Sequence, residues 1–250
     1  MKNENEWRPT KYIKKNGRFC ANHDSKYLYV GSYLVADLVV DAYFDAIHKY
    51  AFGDLADLGC GNVPLFEMYK GLTKSQTCID WANTLHKNDF LDIECDLNNK
   101  LNVPENTFDT IILSDVLEHI EKPGILIGEL YRVTRPNGVL ILGVPFYYWL
   151  HEIPYDYFRY TEYALKSLLK NAGYKVVEIK TIGGVLDCWG DLTAKIFARI
   201  PVVGFWFAKI VQSLILFLGK TKLGKRIRKG TSPSTPLGYV VVAKKCNKYE

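Results

Sequence analysis

The strongest constraint on this fold is the alternation of short apolar segments with helical patterns along most of the chain. Seven segments have the character of β-strands: DLADLG, SQTCID, FLDIECDL, TFDTIIL, GVLILGVP, YKVVEIKTI and PLGYVVVAKK. In several of the stretches between them, apolar residues recur every three or four positions, which is typical of one helix face. Strands that alternate with helices predict a parallel sheet covered on both faces. We therefore expect an α/β fold with a seven-stranded, mostly parallel sheet.

A glycine-rich turn, ADLGCGNVPLF at residues 56–66, follows the first strand. Gly59 and Gly61 permit backbone conformations and close ligand approaches that a Cβ would prevent. Such a turn between a strand and a helix suits a nucleotide at the carboxyl edge of a sheet. A dinucleotide site would need a third glycine where this chain has Pro64, and proline offers no N–H to a pyrophosphate. The turn therefore favours a nucleotide ligand without phosphates.

Four acids stand in or just after successive strands: Asp57, Asp80, Asp96 and Asp115. The carboxyl ends of parallel strands meet at one edge of a sheet, so these acids should line one crevice there. A ligand with an ammonium group, ribose hydroxyls and an exocyclic amine could use each of them, and S-adenosylmethionine has all three groups. Taken singly, each acid could equally cap a helix or lie in a solvated loop.

The order of these motifs resembles that of the class I S-adenosylmethionine-dependent methyltransferases, in particular the methyltransferase type 11-like family. The segments that carry the resemblance are DLGCG at 57–61, CID at 78–80, CDL at 95–97, FDTIILSDVLEHI at 108–120 and ELYRVTRPNGVLIL at 129–142. The family's third glycine falls at Val63 in this chain. The resemblance implies the Rossmann-like class I methyltransferase fold, with S-adenosylmethionine as cofactor and S-adenosylhomocysteine as product.

The resemblance also implies a role for each residue of the cofactor site. The methionine part of the cofactor should meet Asp57, Gly59, Cys60 and Gly61, and its tail should meet Ser114 and Asp115. The ribose and adenine should meet Asp80, Trp81, Asp96 and Leu97. Within this set, Asp80 would accept from both ribose hydroxyls and Asp96 from the adenine amine.

A tyrosine-rich segment at 145–161, PFYYWLHEIPYDYFRYT, follows the fifth strand, and the resemblance places it over the acceptor side. His151 is the candidate general base, because an oxygen acceptor must lose a proton and histidine suits that task near neutral pH. The candidate substrate-binding residues are Tyr147, Tyr155, Asp156 and Arg159. Alternatively, the last two of these pair to hold the loop. His119 is interpreted as structural or close to the cofactor, and no metal site is predicted.

About fifty residues, 185–235, separate the last two strands, far more than in a usual connection. The apolar IFARIPVVGFWFAKIVQSLILFLG at 196–219 is followed by the basic KTKLGKRIRKG at 220–230. Charged residues, a proline and a glycine interrupt the apolar stretch, so we expect helices that lie in a membrane interface rather than cross it. The basic run would then contact anionic headgroups. An active-site lid and a dimer interface are the alternatives.

The composition bears on organisation and location. We predict an N-terminal cap at 1–50, a cofactor-binding core at 51–184 and 236–246, and the insertion at 185–235. Six scattered cysteines, with no disulfide or metal spacing, are typical of reduced thiols in the cytoplasm. The N-terminal MKNENEWRPTKYIKK lacks the apolar core of a secretory signal. The net charge of +11 from residue 192 onward, against −6 before it, indicates that the C-terminal part meets an anionic surface. We therefore expect a cytoplasmic protein, peripheral on the inner face of the cell membrane.

The predicted activity is O-methylation of a glycan, a lipid-linked acceptor or another hydrophobic small molecule at the membrane surface. A quinone or natural-product methyltransferase acting on carbon, nitrogen or oxygen, with the insertion as a lid, is the nearest alternative. A non-catalytic, cofactor-binding scaffold is the alternative from another class. No nucleic-acid partner is expected, because the apolar stretch before the basic run suits lipid better than a phosphate backbone. The oligomeric state is left open.

Overall fold

The structure, a computed structural model, describes residues 1–81 and 89–246. A hairpin of β1 (Tyr12–Lys15) and β2 (Arg18–Ala21) precedes the central sheet. The strands of that sheet are β3 (Asp54–Leu58), β4 (Ser75–Asp80), β5 (Ile93–Glu94), β6 (Phe108–Ser114), β7 (Thr134–Pro145), β8 (Tyr174–Ile182) and β9 (Gly238–Lys245). Their order is β5-β4-β3-β6-β7-β9-β8, and only β9 runs antiparallel to its neighbours. The predicted seven-stranded, mostly parallel sheet is confirmed.

Helices cover both faces of this sheet. They are α1 (Tyr33–Tyr50), α2 (Phe66–Tyr69), α3 (Pro123–Val133), α4 (Glu162–Asn171), α5 (Val185–Phe197), α6 (Gly204–Lys220) and α7 (Lys222–Thr231). Side chains of α1 and α2 join the core on one face, and those of α3 and α4 join the core on the other. Within β6, Ile111 and Leu113 belong to the α3–α4 side while Ile112 belongs to the α1 side. This alternation explains why three consecutive positions of the strand, 111–113, are apolar.

The segment after β6 is a sharp reversal of the backbone rather than a helix. Strand β6 includes Ser114, Asp115 then adopts a left-handed φ of 54°, and a single 3-10 turn follows at Leu117–His119. Aspartate tolerates this conformation better than most residues do. The abrupt change of direction turns the following side chains toward the carboxyl edge of the sheet, where the cavities described below lie.

The sequence RPNG, at residues 135–138, forms the irregular beginning of β7. Phe108 pairs with Thr134 and Thr110 pairs with Val139, so the residues between these pairs bulge out of the ladder. Asn137, with a φ of 67°, takes the left-handed conformation that the bulge requires.

Three helices, α5 to α7, form the segment between β8 and β9. Helices α5 and α6 pack on each other and on α1. Gln212, a polar interruption of the apolar stretch, is buried, and its side chain accepts from Leu34 N at 2.7 Å and donates to Val30 O at 2.7 Å. Within the described residues, no helix is both long and apolar enough to cross a membrane.

A buried ion pair joins two successive turns of α5. Lys195 Nζ donates to Asp191, and the same ammonium lies 3.8 Å from the centre of the Tyr148 ring. Both side chains are almost completely buried. Burial raises the pKa of Asp191 and lowers the pKa of Lys195, so each charge depends on its partner.

We expect the substitution Lys195→Met to lower the free energy of unfolding by about 3–5 kcal/mol, because it leaves a carboxylate buried without its counter-charge. The double variant Lys195→Met/Asp191→Leu should recover most of that loss, since an apolar pair needs no counter-charge. Urea unfolding measures both. Lys166→Met, at an exposed ion pair on α4, is the matched control and should shift stability by less than about 0.5 kcal/mol. A double variant as unstable as the single one would contradict this interpretation.

Candidate functional site

A cavity of about 630 Å³ opens at the carboxyl edge of the sheet. This volume lies within the range of pockets that hold a cofactor-sized molecule. The predicted cofactor residues on its wall are Gly59, Cys60, Gly61, Asp80, Trp81, Asp96, Leu97, Ser114 and Asp115. The structure therefore brings together nine of the ten residues assigned to the cofactor, although they come from four separate segments of the chain.

The glycine turn needs its glycines for two different reasons. Gly59 and Gly61 have φ values of 64° and 48°, in the left-handed region. A Cβ on Gly59 would also come within 2.4 Å of Val116 Cγ2, so the turn packs directly against the segment after β6. Val63 has a φ of 49°, which is rare for a β-branched residue. Its carbonyl accepts a 3.2 Å hydrogen bond from Trp7 Nε1, so the N-terminal segment helps to hold the turn.

Asp80 links the glycine turn to the end of β4. One carboxylate oxygen accepts from Gly61 N at 2.8 Å, and the other accepts from Trp81 N at 2.8 Å. These bonds fix the carboxylate on the cavity wall. A carboxylate held in this way has further lone pairs for two adjacent hydroxyl donors.

Asp57 lies behind the wall rather than on it. Its side chain is 2% exposed, and Oδ2 accepts from Tyr69 Oη at 3.0 Å. Burial, reinforced by the nearby charge of Asp80, raises the pKa of Asp57 to about 7. Asp57 therefore supports the turn from inside, which differs from the direct cofactor contact expected from the sequence.

The far end of the cavity is formed by the segment after β5. Asp96 Oδ1 accepts from Asn98 N at 2.9 Å, which shapes a tight turn and leaves Asp96 and Leu97 on the wall. Trp81 lies on the same cavity, with its ring edge-to-face to Tyr155 at 5.6 Å. Tyr155, assigned from the sequence to the substrate, thus lies on the same cavity as the residues predicted for the cofactor, beside Trp81.

The opposite end contains residues that the sequence analysis missed. Lys11 Nζ lies 3.2 Å from Asp115 Oδ2, and Tyr43 Oη donates to Asp115 Oδ1 at 3.5 Å. Lys11, Tyr12 and Tyr43 all line the cavity. The first thirty residues have no clear periodicity, so no sequence signal places Lys11 or Tyr12 near the strands.

A second cavity, of about 190 Å³, adjoins the first and shares Lys11, Asp115 and Glu152 with it. Most of its wall is apolar, from Leu28, Val35, Ala36, Val39, Val144, Ile182 and Leu237. Its polar residues include Ser32, Tyr148, Glu118 and His151. The predicted base His151 therefore belongs to this second cavity.

Glu118 and His151 lie in an unusual electrostatic environment. Glu118 is fully buried, and burial together with the charge of Asp115 raises its pKa well above the ordinary value. Burial and the neighbouring His119 lower the pKa of His151, which keeps its imidazole neutral near pH 7. A neutral imidazole retains one nitrogen lone pair for a proton or a metal ion.

Asp156 and Arg159 hold the loop that carries His151. Their ion pair is bidentate, and Arg159 Nη2 also donates to Trp149 O at 3.0 Å. Although burial acts the other way, Arg159 and the His151 N–H lower the pKa of Asp156 to about 2. Neither residue of the pair lies on the two cavities, and Tyr147 is likewise off both walls and half-exposed. Asp156 and Arg159 thus hold the loop, and only Tyr155 of the predicted substrate set lines a cavity.

Comparison with known proteins relates this arrangement to one enzyme family. The family model for the methyltransferase domain matches residues 56–142. No curated protein matches the sequence. Among solved structures, the [4+2]-cyclase SpnF is 17% identical with a TM-score of 0.53, covering 95% of this chain and 87% of that one.

Two further structures carry methyl-transfer descriptions. A SAM-dependent methyltransferase from Archaeoglobus fulgidus is 16% identical with a TM-score of 0.50, covering 83% of this chain and 93% of that one. Haemonchus contortus phosphoethanolamine N-methyltransferase 2, in complex with S-adenosyl-L-methionine, is 12% identical with a TM-score of 0.53. That likeness covers 90% of this chain and 59% of the other. At such identities the structures share the fold, and a fold can host different chemistry, as the cyclase illustrates.

Asp57 should make stability depend on pH. Its folded pKa of about 7 lies above the unfolded value, so unfolding releases a proton between about pH 4 and pH 7 and stability falls as the pH rises through that window. The groups that face it are Tyr69, Asp80, Cys60 and Cys78. Asp57→Asn removes this contribution. The free energy of unfolding of the variant, compared with that of the wild type, should therefore rise by a few kcal/mol between pH 4.5 and 8.

Urea unfolding at a series of pH values measures that difference. Asp45→Asn is the control, because Asp45 is an exposed carboxylate on α1 that pairs with Lys180. Above pH 5 its stability should depend on pH in the same way as that of the wild type. Parallel stability curves for Asp57→Asn and wild type would show that the Asp57 pKa is ordinary.

Proposed function

We propose that this class I S-adenosylmethionine-dependent methyltransferase transfers its methyl group to a hydroxyl of an amphipathic acceptor, such as a lipid-linked or glycan precursor, at a membrane surface. The observation that carries the proposal is the small second cavity, apolar over most of its wall and polar where it adjoins the cofactor cavity at Asp115 and Glu152. Such a shape suits a molecule whose reacting polar end is presented by an apolar body.

The larger cavity supplies the positions for the cofactor. Asp80 would accept from the ribose hydroxyls, and Asp96 with Leu97 would bind the adenine. The acidic end around Asp115 would receive the ammonium group of the methionine part. Each role follows from a residue on the cavity wall and from the complementary group of S-adenosylmethionine. The activated sulfonium would then face the wall that the two cavities share.

The reaction needs alignment and removal of one proton. The acceptor oxygen attacks the methyl carbon in line with the carbon–sulfur bond, that bond breaks, and sulfur keeps the electron pair as S-adenosylhomocysteine forms. Holding the two molecules in adjoining cavities supplies the alignment. The hydroxyl proton leaves toward the polar end of the second cavity, where His151 is the predicted proton acceptor.

The outer face of α5 and α6 supports the membrane part of the proposal. On α5 an exposed stripe contains Val185, Trp189, Leu192 and Ile196, and on α6 another contains Trp206, Ile210, Leu214 and Phe217. Spacings of three and four residues place each set on one side of its helix. An exposed apolar surface of this extent marks an interaction site. Helix α7 adds the exposed cations Lys222, Lys225, Arg226 and Lys229, which favour anionic lipid.

The lid alternative has less support. Among the described residues that line the two cavities, none belongs to 185–235. Helices α5 and α6 pack instead beside α1, with their apolar stripes directed away from the body. A quinone or other natural-product acceptor would still fit the second cavity, so acceptor screening should include both chemical classes.

The activity test is transfer of labelled methyl from S-adenosylmethionine to a panel of lipid-linked glycans, quinols and soluble phenols on vesicles. We expect label in an acceptor with a free hydroxyl and a long apolar chain, and none in its O-methylated analogue. Binding of S-adenosylhomocysteine without transfer to any acceptor would favour the scaffold alternative.

Asp80→Asn should weaken S-adenosylhomocysteine binding by about 10- to 100-fold, since the hydrogen bonds lost are to a charged acceptor. Isothermal titration calorimetry measures the change. The same titration on Asp45→Asn, which removes an exposed carboxylate that lines neither cavity, should give the wild-type affinity. Equal affinity for Asp80→Asn and wild type would remove Asp80 from the cofactor site.

Replacing both Trp206 and Phe217 by serine should lower partitioning onto vesicles containing phosphatidylserine by about 100- to 10,000-fold, because each ring contributes about 1.5–3 kcal/mol when buried in lipid. Co-sedimentation measures the bound fraction, which should also fall with salt. Tyr163→Ser removes an equally exposed ring on α4 and serves as the control. Vesicle binding that survives the double substitution would rule out this face as the membrane contact.

A further inference from the structure

A buried carboxylate without a hydrogen-bond partner lies at the boundary of the two cavities. Glu118 is 0% exposed, and neither of its carboxylate oxygens has a hydrogen-bond partner. A buried acid in this condition is costly unless another group neutralises or coordinates it. Its position on the 3-10 turn after β6 is determined by the backbone reversal at Asp115.

Two imidazoles direct their Nε2 atoms toward this carboxylate. His119 Nε2 lies 3.7 Å from Glu118 Oε1, and His151 Nε2 lies 3.8 Å from the same oxygen. Three ligand atoms, one from each residue, lie within 4.8 Å of one another. Donor atoms that share a metal ion at about 2.0–2.2 Å are separated by roughly 3–3.5 Å, so small side-chain movements would bring these three into coordination.

The other nitrogen of each ring faces an oxygen atom of the protein. His119 Nδ1 lies 2.9 Å from Tyr155 O, which can only accept, so this nitrogen is the protonated one. His151 Nδ1 lies 3.2 Å from Asp156 Oδ2 without forming a hydrogen bond, and the bidentate Arg159 holds that carboxylate in place. The bond to Tyr155 leaves the His119 Nε2 lone pair on the side of Glu118, and His151 Nε2 lies at a similar distance from the same carboxylate oxygen. A carbonyl or carboxylate behind the outer nitrogen is the usual support of a metal-binding histidine.

We propose that Glu118, His119 and His151 bind one divalent transition-metal ion. Two imidazoles and one carboxylate favour ions such as Mn²⁺, Co²⁺ or Zn²⁺ over Mg²⁺, which prefers oxygen ligands. Three protein ligands leave coordination positions open for an exogenous oxygen. Glu152 Oε2, at 3.9 Å from His119 Nε2, lies at the edge of the same cluster.

The location gives the ion a role in the reaction, and this step rests on the proposed function. Glu118 and His151 line the second cavity, and His119 lines the cofactor cavity. An acceptor hydroxyl bound to the ion would release its proton to solvent more readily. The resulting oxygen anion would attack the methyl carbon as the carbon–sulfur bond breaks. In this form of the mechanism His151 is a ligand, and it does not accept the proton.

The test is titration of the full chain, first stripped with a chelator, with Mn²⁺, Co²⁺, Zn²⁺ and Mg²⁺ by calorimetry. We expect one transition ion per chain and weaker binding of Mg²⁺. The visible absorption of bound Co²⁺ should indicate imidazole ligands. Each of Glu118→Gln, His119→Ala and His151→Ala should abolish this binding, whereas His48→Ala, at an exposed histidine on α1, should not.

Glu118→Gln keeps the side-chain volume and removes an unpaired buried acid, so the metal-free variant should remain folded by thermal melting. Calorimetry with S-adenosylhomocysteine on the same samples separates the two proposals. Absence of metal binding in a wild type that binds S-adenosylhomocysteine overturns the metal site alone, as does metal binding that persists in all three variants. Metal binding without S-adenosylhomocysteine binding leaves the site standing and overturns the proposed function.

Discussion

The close approach of Gly59 to Val116 is the contact on which the rest of the site depends. It brings the turn after β3 against the segment after β6, at the point where the sheet order reverses from β4-β3 to β6-β7. Parallel strands leave a crevice at such a reversal. A side chain at position 59 would separate the two segments. It would thereby also separate the residues predicted to bind the cofactor from those predicted on the acceptor side.

Buried polar side chains cluster around this crevice. Asp57 lies behind the turn with a raised pKa, and the Glu118 carboxylate is buried without a hydrogen-bond partner at the junction of the cavities. Each lowers the stability of the folded protein at pH values where it is ionised, because an ionised group in a poorly solvated position lacks the stabilisation that water provides. A ligand or ion that binds to these groups would stabilise the folded protein. Its binding would offset the free-energy cost of burying the two acids.

Helices α5 and α6 show that hydrophobicity alone does not identify a core. Both carry small or polar residues on the inward side, including Gly190, Ala208 and Gln212, while large apolar rings face outward. The inner contacts rely on close packing, and a Cβ on Gly190 would come within 2.6 Å of Ile215. The outward rings are therefore available for an apolar environment that the chain itself does not supply.

The sequence by itself determined the alternation of strands and helices, the conformation of the glycine turn and the set of acids at one edge of the sheet. These features are local, because dihedral preferences and periodicity act over a few neighbouring residues and parallel pairing then aligns the strand ends. The family resemblance extended this to most of the cofactor wall.

Only the tertiary structure decided which distant side chains meet. It placed Asp57 behind the wall, brought Lys11 from an aperiodic N-terminal segment to Asp115, and gathered His119 and His151 around Glu118. No local pattern encodes these encounters, because they depend on the strand order, on the reversal at Asp115 and on how the Arg159-anchored loop folds back over the sheet edge. Long-range packing, rather than propensity, therefore selects the chemistry of the second cavity.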